Sequence, residues 1–529
     1  MEHRHQRDRS IPIMVRNAAT LWDDREAVVD SAVRISYADL DRLMLRSVRA
    51  AVATGIQRGD RVALWAPNAW EWIVAALGIL GAGGCVVPVN TRFKGQEAAF
   101  VIRKSGAQVL FTVNGFLGND FADLLRSADP TMAGIGEIIT LRGEPAGPGD
   151  SWAEYLDRGA SVDEADAAAA IDRLGPDDVA DVIFTSGTTG RPKGVPITHG
   201  QSLRYYDEFG TRLGVEAGDR YVIVNPFFHC FGYKAGWMLC FLKGATALPL
   251  AVFDADSVID LIERERITTV AGPPTLLASI LDSPARESHD LSTLSVGFVG
   301  ASTVPAELLR RMRTELGLDK VTTGYGLTES SAMCSITRVD DDPEYVAEWN
   351  GGHPIADIRI KVVDEQGQEL PAGEAGELMI HGANVMSGYF EDPEATAEVL
   401  EADGWLHTGD IAVMNSRGDF RITDRKKDIY LCGGFNVSPA EVESMLLLMD
   451  GISQVAVVGM PDDRMGEVGA AFVILRPGSS TTAADIIAWA RQHMANYKVP
   501  RRVEIVDNLP LNATGKVLKT ELRAQLASL

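Results

Sequence analysis

Apolar residues recur along this chain with two alternating periods. Stretches with helical spacing, Tyr37 to Ala53 and Ala69 to Leu80, alternate with short continuous apolar runs at Arg61-Val-Ala-Leu-Trp65 and Cys85-Val-Val-Pro-Val89. A helical period between strand-length runs predicts βα units built on a buried sheet. The pattern returns at Arg220 to Asn225, Ser257 to Arg264, Thr268 to Gly272, Leu294 to Gly300 and Pro305 to Leu316, which predicts several such units within one large region. From about residue 355 the texture changes to short strands with turn residues between them, at Ile358 to Val363 and Gly376 to His381, and a β-rich subdomain is expected there. A further compact unit follows Asp424-Arg-Lys-Lys427: a helix Pro439 to Leu448, strands at Val455 to Gly459 and Ala471 to Leu475, a helix from Ala483 and a strand Val503 to Val506. The resulting expectation is an α/β protein. A large N-terminal domain (residues 1–426) holds two βα-type subdomains and a β-rich subdomain at about 340–426, and a small α+β C-terminal domain (427–529) follows a boundary near Lys427.

A length of 529 residues exceeds one ordinary hydrophobic core and agrees with that division. The net charge of −23 argues against broad nucleic-acid or anionic-membrane binding, so an anionic ligand must be met by local cations. Arg421, Arg425, Lys426 and Lys427 form one such group, and Lys498, Arg501 and Arg502 another. The longest uncharged stretch, Ile73 to Val89, is interrupted by Gly78, Gly81, Gly83, Gly84 and Pro88, which suits a helix, a turn and a strand rather than a membrane span. With a charged start that does not read as a secretory signal, a cytoplasmic protein is expected. The five cysteines lie apart without a C-x-x-C pair, so neither a disulfide framework nor a zinc site is indicated.

The densest chemistry is the run Thr185-Ser-Gly-Thr-Thr-Gly-Arg-Pro-Lys193-Gly194, which follows the strand-like Val182 to Thr185. Glycines let backbone N–H groups approach phosphate oxygens, hydroxyls donate from the side, and Lys193 adds a point charge. The Walker A spacing is absent, because Pro192 precedes the lysine and Gly194 follows it where a hydroxyl belongs.

Seven further segments stand in order behind that run: Asn225-Pro-Phe-Phe-His229, Gly300-Ala-Ser302, Thr323-Gly-Tyr-Gly-Leu-Thr-Glu329, Gly404-Trp-Leu-His-Thr-Gly-Asp410, Asp424-Arg-Lys-Lys427, Gly433-Gly-Phe-Asn436 and Leu509-Pro-Leu-Asn-Ala-Thr-Gly-Lys516. Together they resemble the adenylate-forming superfamily of acyl-CoA synthetases, aryl-CoA ligases, peptide-synthetase adenylation domains and luciferases, over almost the whole chain. The resemblance implies an AMP-forming ligase: a carboxylate is adenylated with MgATP, and a thiol, coenzyme A, then displaces AMP. Its partners would be a small carboxylic acid, ATP and CoA, with no nucleic acid and no integral membrane segment, and a homodimer is left open.

The same resemblance distributes roles. Thr185, Ser186, Gly187, Thr188, Thr189, Gly190 and Lys193 would hold the β- and γ-phosphates, Glu329 would bind Mg²⁺, and Thr328 would touch the α-phosphate. Gly300, Ala301, Ser302, Thr323, Gly324, Tyr325, Gly326, Asp410, Ile422 and Arg425 complete the nucleotide set, Tyr325 stacking on adenine and Asp410 accepting from the ribose hydroxyls. Lys516 would bring its ammonium from the mobile domain to the carboxylate and α-phosphate. A rotation about Lys427 would then exchange Lys516 for Gly433, Gly434 and Phe435 beside the pantetheine channel.

His229 would gate the passage between acyl pocket and thiol channel. Phe231, Tyr233, Lys234, Ala235, Gly236, Gly300, Ala301 and Leu327 would line the pocket, with Met333 at its end. These mostly apolar or small side chains favour a hydrophobic acid of some width. The segments Phe227 to Gly236, Ala271 to Leu277 and Cys432 to Glu443 are similar to bacterial sterol-catabolism ligases that activate a propanoate carried on a hydroindanedione ring pair. On that resemblance, Lys234 and Tyr233 would donate to a ring carbonyl. The alternatives are a medium- or long-chain fatty acid or aryl acid ligase, an acyl-AMP ligase loading a carrier protein, and a non-catalytic nucleotide-binding module.

Overall fold

The computed structural model describes residues 9–129, 135–145, 149–185, 192–301, 304–355, 357–425, 428–433, 435–462, 464–512 and 515–528. Four sheets organise them. In a nine-stranded sheet, Glu26–Asp30, Thr246–Pro249, Arg220–Ile223, Thr269–Gly272, Val296–Val299 and Lys320–Tyr325 lie side by side in parallel, and antiparallel strands close both edges. An eight-stranded sheet centres on the parallel strands Val179–Thr185, Cys85–Pro88, Arg61–Trp65, Val109–Phe116 and Glu137–Arg142. The short Val/Ile/Leu-rich strands are buried along nearly their whole length, as parallel strands covered by helices on both faces must be.

The helices expected from the apolar period form with their caps. Tyr37–Ala53 starts at Ser36, whose hydroxyl accepts from the Asp39 N–H at 3.0 Å. Trp70–Gly81 is buried on almost every side, which accounts for its lack of an amphipathic signature. No helix of the described residues is long and apolar enough to cross a membrane.

The β-rich region is a four-stranded antiparallel sheet of Arg359–Val363, Ala375–His381, Leu406–Met414 and Phe420–Arg425. A five-stranded sheet is built only from residues beyond it: Phe435–Val437, Tyr430–Cys432, Gly466–Leu475, Ile452–Asp462 and Arg502–Ile505. Large N-terminal and small C-terminal domains of mixed α/β character result.

One boundary differs in an informative way. The strand expected over Arg220 to Asn225 stops at Ile223. Beyond it, side chains replace the ladder: Asn68 Nδ2 donates to the carbonyls of Ile223 (3.2 Å) and Asn225 (2.9 Å), Asn68 Oδ1 accepts from the Phe227 N–H (2.8 Å), and Asn225 Nδ2 donates to the Ala271 carbonyl (2.9 Å). The buried chain leading to His229 is thus held by amide groups that satisfy its backbone.

Candidate active site

Two residues expected to hold phosphate, Thr185 and Lys193, sit opposite each other in a hairpin of antiparallel strands. Thr185 ends the strand Val179–Thr185 and pairs with Lys193, the first residue of the antiparallel strand Lys193–Thr198. Ser186, Gly187, Thr188, Thr189 and Gly190 lie outside the described residues. The Lys193 side chain is only 10% exposed; its Nζ stands 4.9 Å from the centre of the Tyr389 ring and 3.8 Å from Glu398.

Across from the hairpin, the strand Lys320–Tyr325 leads into a single 3₁₀ turn, Thr328–Ser330, that presents Thr328 and Glu329. Glu329 Oε1 accepts from the Tyr389 hydroxyl at 2.9 Å. Ser331 and Ala332 follow with φ of 58° and 61°, a left-handed conformation that ordinary residues adopt only under constraint. Gly326 supplies the room for this turn, since a Cβ there would lie 2.3 Å from the Ala332 carbonyl oxygen. Gly324 is equally confined, 2.6 Å from the Ser335 oxygen by the same construction, so these glycines serve close backbone packing around Tyr325.

Tyr325 and Asp410 meet directly. The Tyr325 hydroxyl donates to Asp410 Oδ2 at 2.5 Å, and its ring stands edge-on to Phe420 at 5.7 Å. Burial, and next the Asp410 charge, push the phenol far above its ordinary value, so it remains the donor. The backbone of Arg425 pairs with that of Asp410 across the sheet, and Ile422 is half-buried on the same strand. Gly300 and Ala301 follow the strand Val296–Val299, Ala301 with φ of 71°, while Ser302 is outside the described residues. Thr323 departs from its expected place. It is wholly buried, and its hydroxyl donates to the Asn350 carbonyl at 2.8 Å, so it braces the sheet edge and is not free to meet a nucleotide.

Lys516 reaches this region by the docking of its loop. Thr275 Oγ1 donates to the Gly515 carbonyl at 3.1 Å, and Arg92 Nη1 donates to that of Leu511 at 3.4 Å. Gly515 has φ of +79°, and a Cβ on it would lie 2.6 Å from Pro273 Cγ, so glycine is required where the tail touches the large domain. Inside the loop, Asn512 Oδ1 accepts from the Lys516 N–H at 2.8 Å.

His229 feels the arriving charge. Burial first, and the Lys516 ammonium second, lower its imidazole to about 4. Nδ1 of His229 accepts from the Phe231 N–H at 3.2 Å, which leaves the proton of the neutral ring on Nε2. One turn later, the spacing from Phe231 to Ala235 puts both on one face; Phe231 stands edge-on to Phe298 at 5.6 Å, and Phe298 edge-on to Phe209 at 5.1 Å. Leu327 is half-buried, and Met333 and Ala235 are buried. The positions expected to line the acyl pocket are thus surrounded by apolar and aromatic side chains.

Two expected pocket residues belong to the core instead. Tyr233 stacks on Trp237 at 5.0 Å and meets Trp72 edge-on at 5.4 Å. Lys234 is fully buried, its Nζ 2.9 Å from Asp181 Oδ2 and donating to Ser202 Oγ at 2.6 Å. The reason is helical geometry: with Phe231 and Ala235 on one face, residues 233 and 234 turn toward the other sheet. The π-helical segment Tyr233–Met238 widens this turn, and Gly236 within it has a non-helical backbone.

The CoA-side segment faces elsewhere. Gly433 donates its N–H to Met465 at 2.7 Å, and Phe435 is 58% exposed and stacked on Tyr497 at 4.7 Å, so the described contacts of both lie within the C-terminal unit. Lys427, Gly434 and the side chain of Arg425 are outside what is described. Sequence reasoning missed Asn68, Asp181, Thr275 and Tyr389. Each acts on a partner remote in the chain, so no local pattern marks it.

A model of the AMP-binding enzyme family matches residues 15–390, and a model of the AMP-binding enzyme C-terminal domain matches 441–516. A 3-(7a-methyl-1,5-dioxo-octahydro-1H-inden-4-yl)propanoyl:CoA ligase of Mycobacterium tuberculosis is 45% identical, covering 97% of this chain and 98% of its own. The Rhodococcus jostii protein described in the same words is 42% identical, with 97% and 98% covered. Among solved structures, the anthranilate CoA ligase AuaEII in complex with anthranoyl-AMP superposes with a TM-score of 0.89 at 26% identity, covering 98% of each chain.

Proposed function

The chain belongs to the AMP-binding enzyme family and is an acid–thiol ligase, and from that premise we propose that it activates a propanoate borne on a steroid-derived ring pair. The two ligases at 45% and 42% identity support that acid, as do the apolar side chains of Phe231, Phe298, Ala235, Leu327 and Met333. The observation carrying the mechanism is the tail loop bonded to Thr275, which brings the Lys516 charge close enough to lower the His229 imidazole.

Two displacements follow at one centre. In the first, a carboxylate oxygen bonds to the α-phosphorus of ATP, the bond to the β-phosphate bridging oxygen breaks, and pyrophosphate leaves. Negative charge accumulates there, and the Lys516 ammonium, Lys193 and the N–H groups of the phosphate loop offset it. Tyr325 flanks the base, and Asp410 takes the ribose hydroxyls on its remaining acceptor positions. In the second, the CoA thiol gives its proton to water, sulfur bonds to the acyl carbon, the C–O bond to AMP breaks, and AMP leaves with that electron pair. Neutral His229 bounds the acyl site without adding a charge that would trap the carboxylate.

Glu329 is the residue that would hold Mg²⁺, whose chemistry is to screen phosphate charge. The donor fits: one oxygen of the Glu329 carboxylate is held by the Tyr389 hydroxyl at 2.9 Å, and Mg²⁺ commonly takes one carboxylate with phosphate oxygens and water. For release of Lys516 before thiol entry, we place the hinge near Lys427, with residues 1–426 and the β-rich part at about 340–426 on one side and 427–529 on the other. The cytoplasm, where ATP and CoA are supplied, is the proposed location.

The test is AMP release with MgATP and a panel of acids, with and without CoA. CoA-dependent release with the highest kcat/KM for ring-bearing propanoates supports the proposal. Preference for straight-chain or aryl acids replaces the substrate, and acid-dependent pyrophosphate exchange without thioester replaces CoA by a carrier protein.

A further inference from the structure

The segment Met386 to Phe390 threads between the two charged groups that serve phosphate. Its backbone is bonded on both sides: the Met386 N–H donates to the Glu329 carbonyl at 2.8 Å, and the Phe390 N–H donates to the Gly194 carbonyl at 2.7 Å. Tyr389 stands between these anchors with its own N–H given to Thr396 Oγ1 at 2.9 Å, which fixes its backbone. From there its hydroxyl donates to Glu329 Oε1 at 2.9 Å, while Lys193 Nζ lies over its ring at 4.9 Å.

Each end has a distinct physical consequence. A carboxylate with one oxygen occupied by a phenol is held in one rotamer, so its other oxygen is aimed without further ordering when a cation arrives. At the other end, the carboxylate near Lys193 cannot fix it: Glu398 is 67% exposed at 3.8 Å, and such surface pairs contribute little. Among the described residues, the ring is therefore the group that steers the largely buried Lys193 ammonium.

We infer that Tyr389 is a positioning residue that sets the metal-binding carboxylate of Glu329 and the phosphate-binding ammonium of Lys193 at a fixed separation, the hydroxyl governing the first and the ring the second. The inference rests on the reading of Glu329 as the Mg²⁺ ligand.

The two halves separate by mutation. Mn²⁺ is titrated into the full chain with a non-hydrolysable ATP analogue and followed by EPR, and affinity for the same analogue is measured separately in EDTA. Tyr389→Phe keeps the ring, so Mn²⁺ binding should weaken about 10- to 100-fold while metal-free nucleotide affinity stays within about twofold of the parent. Tyr389→Leu should also weaken metal-free nucleotide binding about two- to fivefold. Unchanged Mn²⁺ affinity in Tyr389→Phe overturns the hydroxyl's role, and equal metal-free affinity in the two variants overturns the ring's. Absence of acid-dependent pyrophosphate exchange in the parent would sink the ligase proposal alone, because the metal and nucleotide titrations do not depend on turnover.

Discussion

Lys234→Met tests whether the buried cation reads substrate or holds the domain. In the structure it holds the domain: Nζ lies 2.9 Å from Asp181 Oδ2, both side chains are fully buried, and Ser202 Oγ accepts from the same ammonium at 2.6 Å. The variant leaves Asp181 without its cation, which typically costs about 3–5 kcal/mol. Burial already raises the Asp181 carboxyl above its ordinary 3.8, with Lys234 opposing the rise, so losing the cation leaves the charged form without its counterweight.

For a domain of roughly 400 residues, about 2.1 cal/mol/K per residue converts 4 kcal/mol into a Tm lower by about 5 °C. The sign of the pH effect is also fixed. An acid whose folded pKa lies above its unfolded one stabilises most at low pH and loses that contribution as pH rises, so the variant's deficit should shrink on acidification from pH 7 to 5. Lys234→Met/Asp181→Asn should recover most of the loss. The assays are thermal melts at pH 5, 6 and 7 and KM for ring-keto and straight-chain acids. An unchanged Tm, or a KM rise confined to keto acids, would refute the structural role and restore the carbonyl-donor expectation.

Four further outcomes follow from the structure. Gly515→Ala forces a methyl against Pro273 at 2.6 Å and should slow acid-dependent pyrophosphate exchange at least tenfold on the order of one lost contact; thioester formation from supplied acyl-adenylate should stay within about twofold. Lys516→Ala should lose about 10²–10³ in the same exchange, and parent-like exchange would remove this amine from the mechanism. His199 and His229 are held at about 3 and about 4, below the ordinary 6.5, so the folded state keeps both neutral. Their contribution is complete above pH 6.5 and is lost as pH falls, adding a slope of about 2.7 kcal/mol per pH unit between roughly 6 and 4, which His199→Asn/His229→Asn should flatten in denaturant titrations. Asn68→Ala removes the partners of Ile223, Asn225 and Phe227, and should lower stability by about 1–3 kcal/mol for each group left buried. It should also lower kcat in both half-reactions as the His229 segment shifts; a stable variant with intact kcat would show that the clamp does not position the gate.

The linear chain determined the elements and their kind. Helices at Tyr37–Ala53 and Ala483–His493, strands at Arg61–Trp65 and Cys85–Pro88, and the change of texture after residue 355 are visible as period and turn chemistry, because these depend on neighbours within a few residues. The order of the eight motifs likewise carried the family. What it could not carry was partnership between remote residues. Whether a cation after Tyr233 meets a ligand or a carboxylate depends on which sheet faces that side of the helix, and Asp181 comes from a strand far upstream. Thr323 reads as a site hydroxyl until Asn350 occupies it, and Tyr389 has no local pattern that foretells Glu329 above it and Lys193 over its ring. Even the tail lysine is legible only as a motif, and it is the fit of Gly515 against Pro273 that sets it beside His229. Periodicity states which face of an element is buried; only packing decides what it is buried against.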